Sequence, residues 1–121
     1  MTDKKKNLTV LQKAVNSYGA ASQIDIAIEE CSELIQSLCK MKRYYSGALR
    51  WNEVMRPTSE TKVRYARTYH NVCQEIADVQ IMLDQAVCIF DPIRILKWRA
   101  IKLDKMQKQL NEFKLVTFFL L

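Results

Sequence analysis

The sequence predicts an all-α fold, a four-helix bundle forming a single domain of 121 residues. Three observations predict it. The chain has only two Gly and two Pro, too few for the turns that a strand-rich fold of this length would need. Its apolar residues recur at spacings of three and four rather than alternating. Apolar residues make up 49% of the chain, enough to bury one core but not two.

The first helix is expected from about Asn7 to Tyr18, where Leu8, Leu11, Val15 and Tyr18 share a face and Gly19 is placed to end it. Ser22-Gln-Ile-Asp25 reads as a capping box with Asp in the Glu position, opening a second helix that runs to about Arg43. Its stripe is Ile24, Ala27, Ile28, Cys31, Leu34, Ile35 and Leu38. Periodicity breaks between Tyr44 and Ser59, around Ser46-Gly47 and Pro57, which predicts a loop with a short helical turn near Leu49-Trp51-Val54. A third helix follows to about Phe90. Asp91-Pro92 then supplies an N-cap and a first helical residue for a fourth, expected to run to about residue 114. That helix carries Ile93, Leu96, Ala100, Leu103 and Leu110 on one side and Arg94, Lys97, Arg99, Lys102, Lys105 and Lys108 on the other. The tail Leu115 to Leu121 is apolar without a pattern, and is expected to lie against the bundle or a second subunit.

Charge is distributed unevenly. The chain carries 19 Lys and Arg against 13 Asp and Glu, a net +6, which points to an anionic partner. Yet no Lys or Arg falls between Ala14 and Cys39, or between Thr68 and Ile93. These two stretches hold the acidic motifs Glu29-Glu30-x-x-Glu33 and Glu75-x-x-Asp78. On a helix the first three carboxylates fall within an arc of roughly 100°. Glu30 and Glu75 each border an apolar stripe, so pairing the stripes brings the acidic edges together at the rim of the core. Up to five carboxylates in a partly desolvated space repel one another, and a hard divalent cation relieves that repulsion through oxygen ligands. One such triplet alone is most simply a solvated acidic face. The second pair, in a matching segment free of Lys and Arg, argues for a metal site.

These residues resemble a known family. Glu29-Glu-Cys-Ser-Glu33 followed by Glu75-Ile-Ala-Asp78 looks like the E-E-x-x-E … E-x-x-D signature of the all-α nucleoside triphosphate pyrophosphohydrolases, the MazG-like group. The string from Ala27 to Lys40 is especially similar to its small, single-domain members, and the likeness spans about residues 20 to 110. The resemblance implies that Glu30, Glu33, Glu75 and Asp78 hold Mg2+, with Mn2+ as a substitute, and that Glu29 shares the metal site or positions the attacking water. It implies cleavage of an NTP or dNTP to the monophosphate and pyrophosphate, in a cytoplasmic homo-oligomer, a dimer or tetramer. Lys102 and Lys105, on a segment similar to the basic helix of many members, become candidates for the polyphosphate. Lys40, two turns past Glu33, is another. Asn71 and Trp51 are candidates for the base, and Gln85 flanks the same edge as Asn71. Tyr44, Tyr45 and Arg50 could stack on or clamp the base.

Other chemistries are poorly supplied. His70 is the one histidine, whereas a di-iron bundle wants two E-x-x-H motifs. Ser32 and Ser37 lack His–Asp partners, no G-x-S-x-G occurs, and two glycines cannot make a P-loop. The four cysteines occur singly, and Cys31 and Cys88 read as small buried hydrophobes in a reducing compartment. No apolar run approaches the roughly 20 residues a bilayer needs, so no membrane partner is expected. The competing functional class is a basic helical module that grips nucleic acid or serves as an adaptor without catalysis. That reading explains the net charge but sets the acidic rim against the phosphates.

Overall fold

The computed structural model describes residues 3–45 and 59–120. The chain is all-α: α1 (Asp3–Tyr18), α2 (Ala20–Lys42), α3 (Ser59–Ile89) and α4 (Pro92–Leu120), with no strand among the described residues. It divides into two compact units, Met1–Ala86 and Val87–Leu121. The expected turn around Leu49, Trp51 and Val54 lies outside the described residues.

In the first unit, one glycine makes the joint between α1 and α2. Gly19 sits at φ 85°, ψ 152°, in the positive-φ region that a side chain disfavours. Its N–H donates to the Val15 carbonyl at 2.9 Å, and its own carbonyl accepts the Gln23 N–H at 3.2 Å. It therefore closes α1 and opens α2. The capping box expected at Ser22 and Asp25 is overturned: α2 begins at Ala20, and no side chain caps it. The backbone of Gly19 already starts the ladder three residues earlier. α1 likewise begins at Asp3 rather than near Asn7, since nothing from Asp3 to Asn7 breaks a helix.

Side-chain neighbours fix how α2 and α3 pair. Tyr44, just past α2, meets Tyr65 on α3 edge to face, with ring centroids 5.0 Å apart. Further along, Glu33 acts on Glu75, and Glu30 feels the charge of Asp78. Numbers fall on one helix as they rise on the other, so the two run antiparallel. α1 reaches the far end of α3, where Val10 and Leu11 line a recess with Ile81 and Asp84.

The apolar stripes are only partly covered. Ile24, Ala27 and Leu34 on α2 are half-buried, and so are Val72, Val79 and Met82 on α3. Ile28 and Ile35 remain 64% and 61% exposed, and Leu83 57%. Met41 is the buried apolar residue among those described. Cys31 is exposed rather than buried, Cys88 is half-buried, and Cys39 and Cys73 are exposed. Three helices of one chain cover only one side of each stripe, and Cys31 falls outside that side.

The second unit is dominated by α4. Asp91 caps it as the sequence predicts: its Oδ1 accepts the N–H groups of Ile93 at 3.0 Å and Arg94 at 3.2 Å, with Pro92 as the first helical residue. The expected tail at 115–121 is corrected, because α4 continues to Leu120. No Gly or Pro follows Pro92, so nothing stops the ladder, and the Thr117 hydroxyl turns back to the Phe113 carbonyl at 2.9 Å. Every described side chain of α4 is exposed. No described helix is long and apolar enough to cross a membrane.

Candidate metal centre

The acidic motifs are built by two spacings of three. Glu30 and Glu33 lie one turn apart on α2, and Glu75 and Asp78 one turn apart on α3. The antiparallel register sets Glu33 level with Glu75 and Glu30 level with Asp78. Glu30, Glu33 and Glu75 each present a carboxylate oxygen, and these atoms all lie within 4.8 Å of one another. Glu30 and Glu75 are half-buried, and Glu33 is exposed. Asp78 and Glu29 are exposed and stand outside this trio, though both charges bear on Glu30.

Electrostatics follow from that geometry. Desolvation raises the Glu30 carboxyl above its ordinary 4.5, and Asp78, Glu33, Glu75 and Glu29 then push it the same way. Glu75 is also raised, first by desolvation, then by the charges of Glu33 and Asp78 and by a hydrogen bond with Glu33. With Glu75 protonated, it shares its proton with Glu33. With the carboxylates ionised, Oε2 of Glu30 and Oε2 of Glu75 are buried without a hydrogen-bond partner. Among the described residues no Lys or Arg forms an ion pair with any of the five acids, whereas Glu60 pairs with Arg64, Asp91 with Arg94 and Asp104 with Lys108. Ionised oxygens with no donor and no counter-ion are costly where water is partly excluded.

The donor set suits a hard cation. Octahedral Mg2+ at about 2.1 Å from each oxygen sets neighbouring ligands about 3.0 Å apart and opposite ones about 4.2 Å apart, so the trio must draw together by side-chain rotation to meet one ion. All the donors are carboxylates, which favours Mg2+ or Mn2+ over softer metals. Ser32, next to the trio in sequence, donates its hydroxyl to the Glu29 carbonyl at 2.8 Å and so is committed to its own helix.

The remaining candidates are placed as follows. Lys40 is exposed on α2, seven residues past Glu33 and so on nearly the same face. Asn71 is exposed on α3, one turn before Glu75. Lys102 and Lys105 are exposed on α4, in the second unit. Trp51 and Arg50 lie outside the described residues. Tyr44 meets Tyr65 edge to face, the Tyr65 ring lies 6.2 Å from that of Tyr69, and the Tyr65 hydroxyl is raised above its ordinary 10.0, first by a hydrogen bond with Tyr45.

Two glutamines carry more of the structure than their sequence setting suggests. Gln23 and Gln85 are buried, and the register that aligns Glu30 with Asp78 puts them at one level as well. Gln85 Oε1 has no hydrogen-bond partner. The signal available beforehand was a polar residue bordering each apolar stripe. Comparison with protein-family models, with curated proteins and with solved structures finds no match for the chain.

Proposed function

We propose that the chain is a Mg2+-dependent nucleoside triphosphate pyrophosphohydrolase of the all-α, MazG-like kind. The observation that carries this reading is the meeting of Glu30, Glu33 and Glu75, with two buried carboxylate oxygens that find no hydrogen-bond partner among the described residues. Glu30, Glu33 and Glu75 hold the metal, and Asp78 completes the negative wall at the level of Glu30. A bound Mg2+ supplies charge neutralisation for phosphate oxygens and lowers the pKa of a water at that point.

The chain's own groups do the rest. Glu29 is exposed beside Glu30 and outside the trio, which leaves its carboxylate free to orient a water or take its proton. Lys40 lies about 10 Å along α2 from Glu33, and the tyrosines at Tyr44 and Tyr65 about 16 Å along. Metal, then cation, then aromatic surface is the order in which a triphosphate, sugar and base would lie. Water attack with release of pyrophosphate leaves the monophosphate. The half-covered stripes of α2 and α3 support self-association, since Ile28, Ile35 and Leu83 gain cover only from another chain or another part of this one.

The test is a screen of nucleoside triphosphates with Mg2+ that separates pyrophosphate from orthophosphate. Pyrophosphate is expected, and none in the presence of excess EDTA. Orthophosphate would mean that a different bond is cut. No product, together with tight binding of nucleic acid, would favour the binding-module reading.

A further inference from the structure

The length of α4 is not used by the reaction, and its sequence has a second pattern. Leu96, Leu103, Leu110 and Thr117 follow one another at intervals of seven. Arg99, Met106, Phe113 and Leu120 form a parallel series three residues later. Together they make the alternating three-and-four spacing of a coiled-coil seam, eight positions long and about 36 Å from end to end. The structure shows α4 helical across all eight, with each of them exposed: Leu96 65%, Met106 57%, Phe113 69%, Leu120 81%.

We infer that this seam is the interface for a second copy of the chain, joined as an antiparallel two-stranded coiled coil. The seam is complementary to itself when reversed. In an antiparallel pair, a residue of one series faces a residue of the other. Leu103 then faces Phe113, Met106 faces Leu110, and Leu96 faces Leu120. The two positions that are not apolar, Arg99 and Thr117, fall opposite each other. Sliding one chain by a heptad sets Arg99 against Leu110 and removes that match. A parallel, in-register pair stacks Arg99 on Arg99, like charge on like charge in the core. The flanking positions agree with the antiparallel choice. Ala100 faces Lys114, Gln107 faces Gln107, Lys102 faces Val116 and Gln109 faces Gln109, so no Lys meets a Lys. The aliphatic stem of Arg99 packs in the seam while its head reaches water.

This proposal stands apart from the metal centre and is tested without catalysis. Sedimentation equilibrium of the full chain gives the oligomeric state, with helix content followed by circular dichroism. Leu103→Glu or Phe113→Lys, each alone, should weaken association about a hundredfold with helix content kept, because each buries an unpaired charge twice. An equimolar mixture of the two variants should restore association, since Glu at 103 on one chain then faces Lys at 113 on the other. Lys105→Glu, outside the seam, should leave association unchanged and serves as the control. A wild-type chain that is monomeric, with α4 docked on its own first unit, would overturn the proposal. So would an oligomer indifferent to Leu103→Glu, or a mixture that fails to associate.

Discussion

Glu30 and Glu75 each meet two opposing demands. Their place at the edge of an apolar stripe takes them partly out of water, and their neighbours across the helix pair are acids. Replacing Glu75 with Gln removes one charge and offers an N–H to Glu33. Without metal, the variant should therefore melt at a higher temperature than the parent. With Mg2+ present, it should lose pyrophosphate release by about a hundredfold or more, because a metal ligand stabilises charge in the transition state by several kcal/mol. Thermal melts in EDTA and a pyrophosphate assay check the two halves. A lower metal-free melting temperature would mean that the carboxylate is satisfied by something other than a cation. Glu29→Gln should behave differently, since Glu29 stands outside the trio: turnover falls while the stabilisation by Mg2+ remains. The meeting of these acids was legible in the sequence because charge is read directly, and the two segments free of Lys and Arg isolate them. The burial of Gln23 and Gln85 was not legible, because a polar residue beside a stripe looks the same whether or not a neighbouring helix covers it.

The elements divide by how local their causes are. Asp91-Pro92 was readable as a helix start because cap and first residue are adjacent in sequence, and the structure bears out both the hydrogen bonds and the position. Asp91→Ala should cost about 1 kcal/mol and fray the first turn of α4, measurable as lost helicity and a lower denaturation midpoint. Gly19 was readable as the end of α1, but its second role, opening α2, was hidden by a plausible cap three residues later. The joint depends on a φ of 85° rather than on space, since a Cβ built there meets nothing within 4 Å. Gly19→Ala should thus cost about 1–3 kcal/mol through the backbone alone. Gly19→Asn should cost about as much, because at ψ 152° the backbone lies outside the left-handed helical region that Asn tolerates; a clearly smaller loss for Asn would mean that the joint relaxes toward that region. The end of α4 was missed because an apolar run without Gly or Pro gives no stop signal, and a featureless tail and a continuing helix read alike.

On the scale of the whole molecule, the acidic pair couples folding to both protons and metal. Glu30 and Glu75 have folded values above the ordinary 4.5, so between 4.5 and those values the folded chain binds more protons than the unfolded one. Stability from this source is complete below 4.5 and is lost as pH rises through the folded values. In EDTA, the melting temperature should therefore fall as pH climbs from 4.5 toward neutrality, relative to a chain carrying both Glu30→Gln and Glu75→Gln. Saturating Mg2+ reverses the sign. The metal binds the ionised carboxylates, protons compete with it, and the folded chain then gains stability as pH rises. By mass action the gain is about 2.7 kcal/mol when Mg2+ stands at a hundred times its dissociation constant. The comparison of parent and double variant isolates what Glu30 and Glu75 add to the pH dependence. If the two chains trace parallel curves in EDTA, and Mg2+ displaces both equally, then the three oxygens within 4.8 Å of one another are an ordinary acidic surface. If the EDTA and Mg2+ curves diverge with rising pH for the parent alone, the same atoms answer to a proton and to a divalent ion in turn, as a site built to exchange one for the other must.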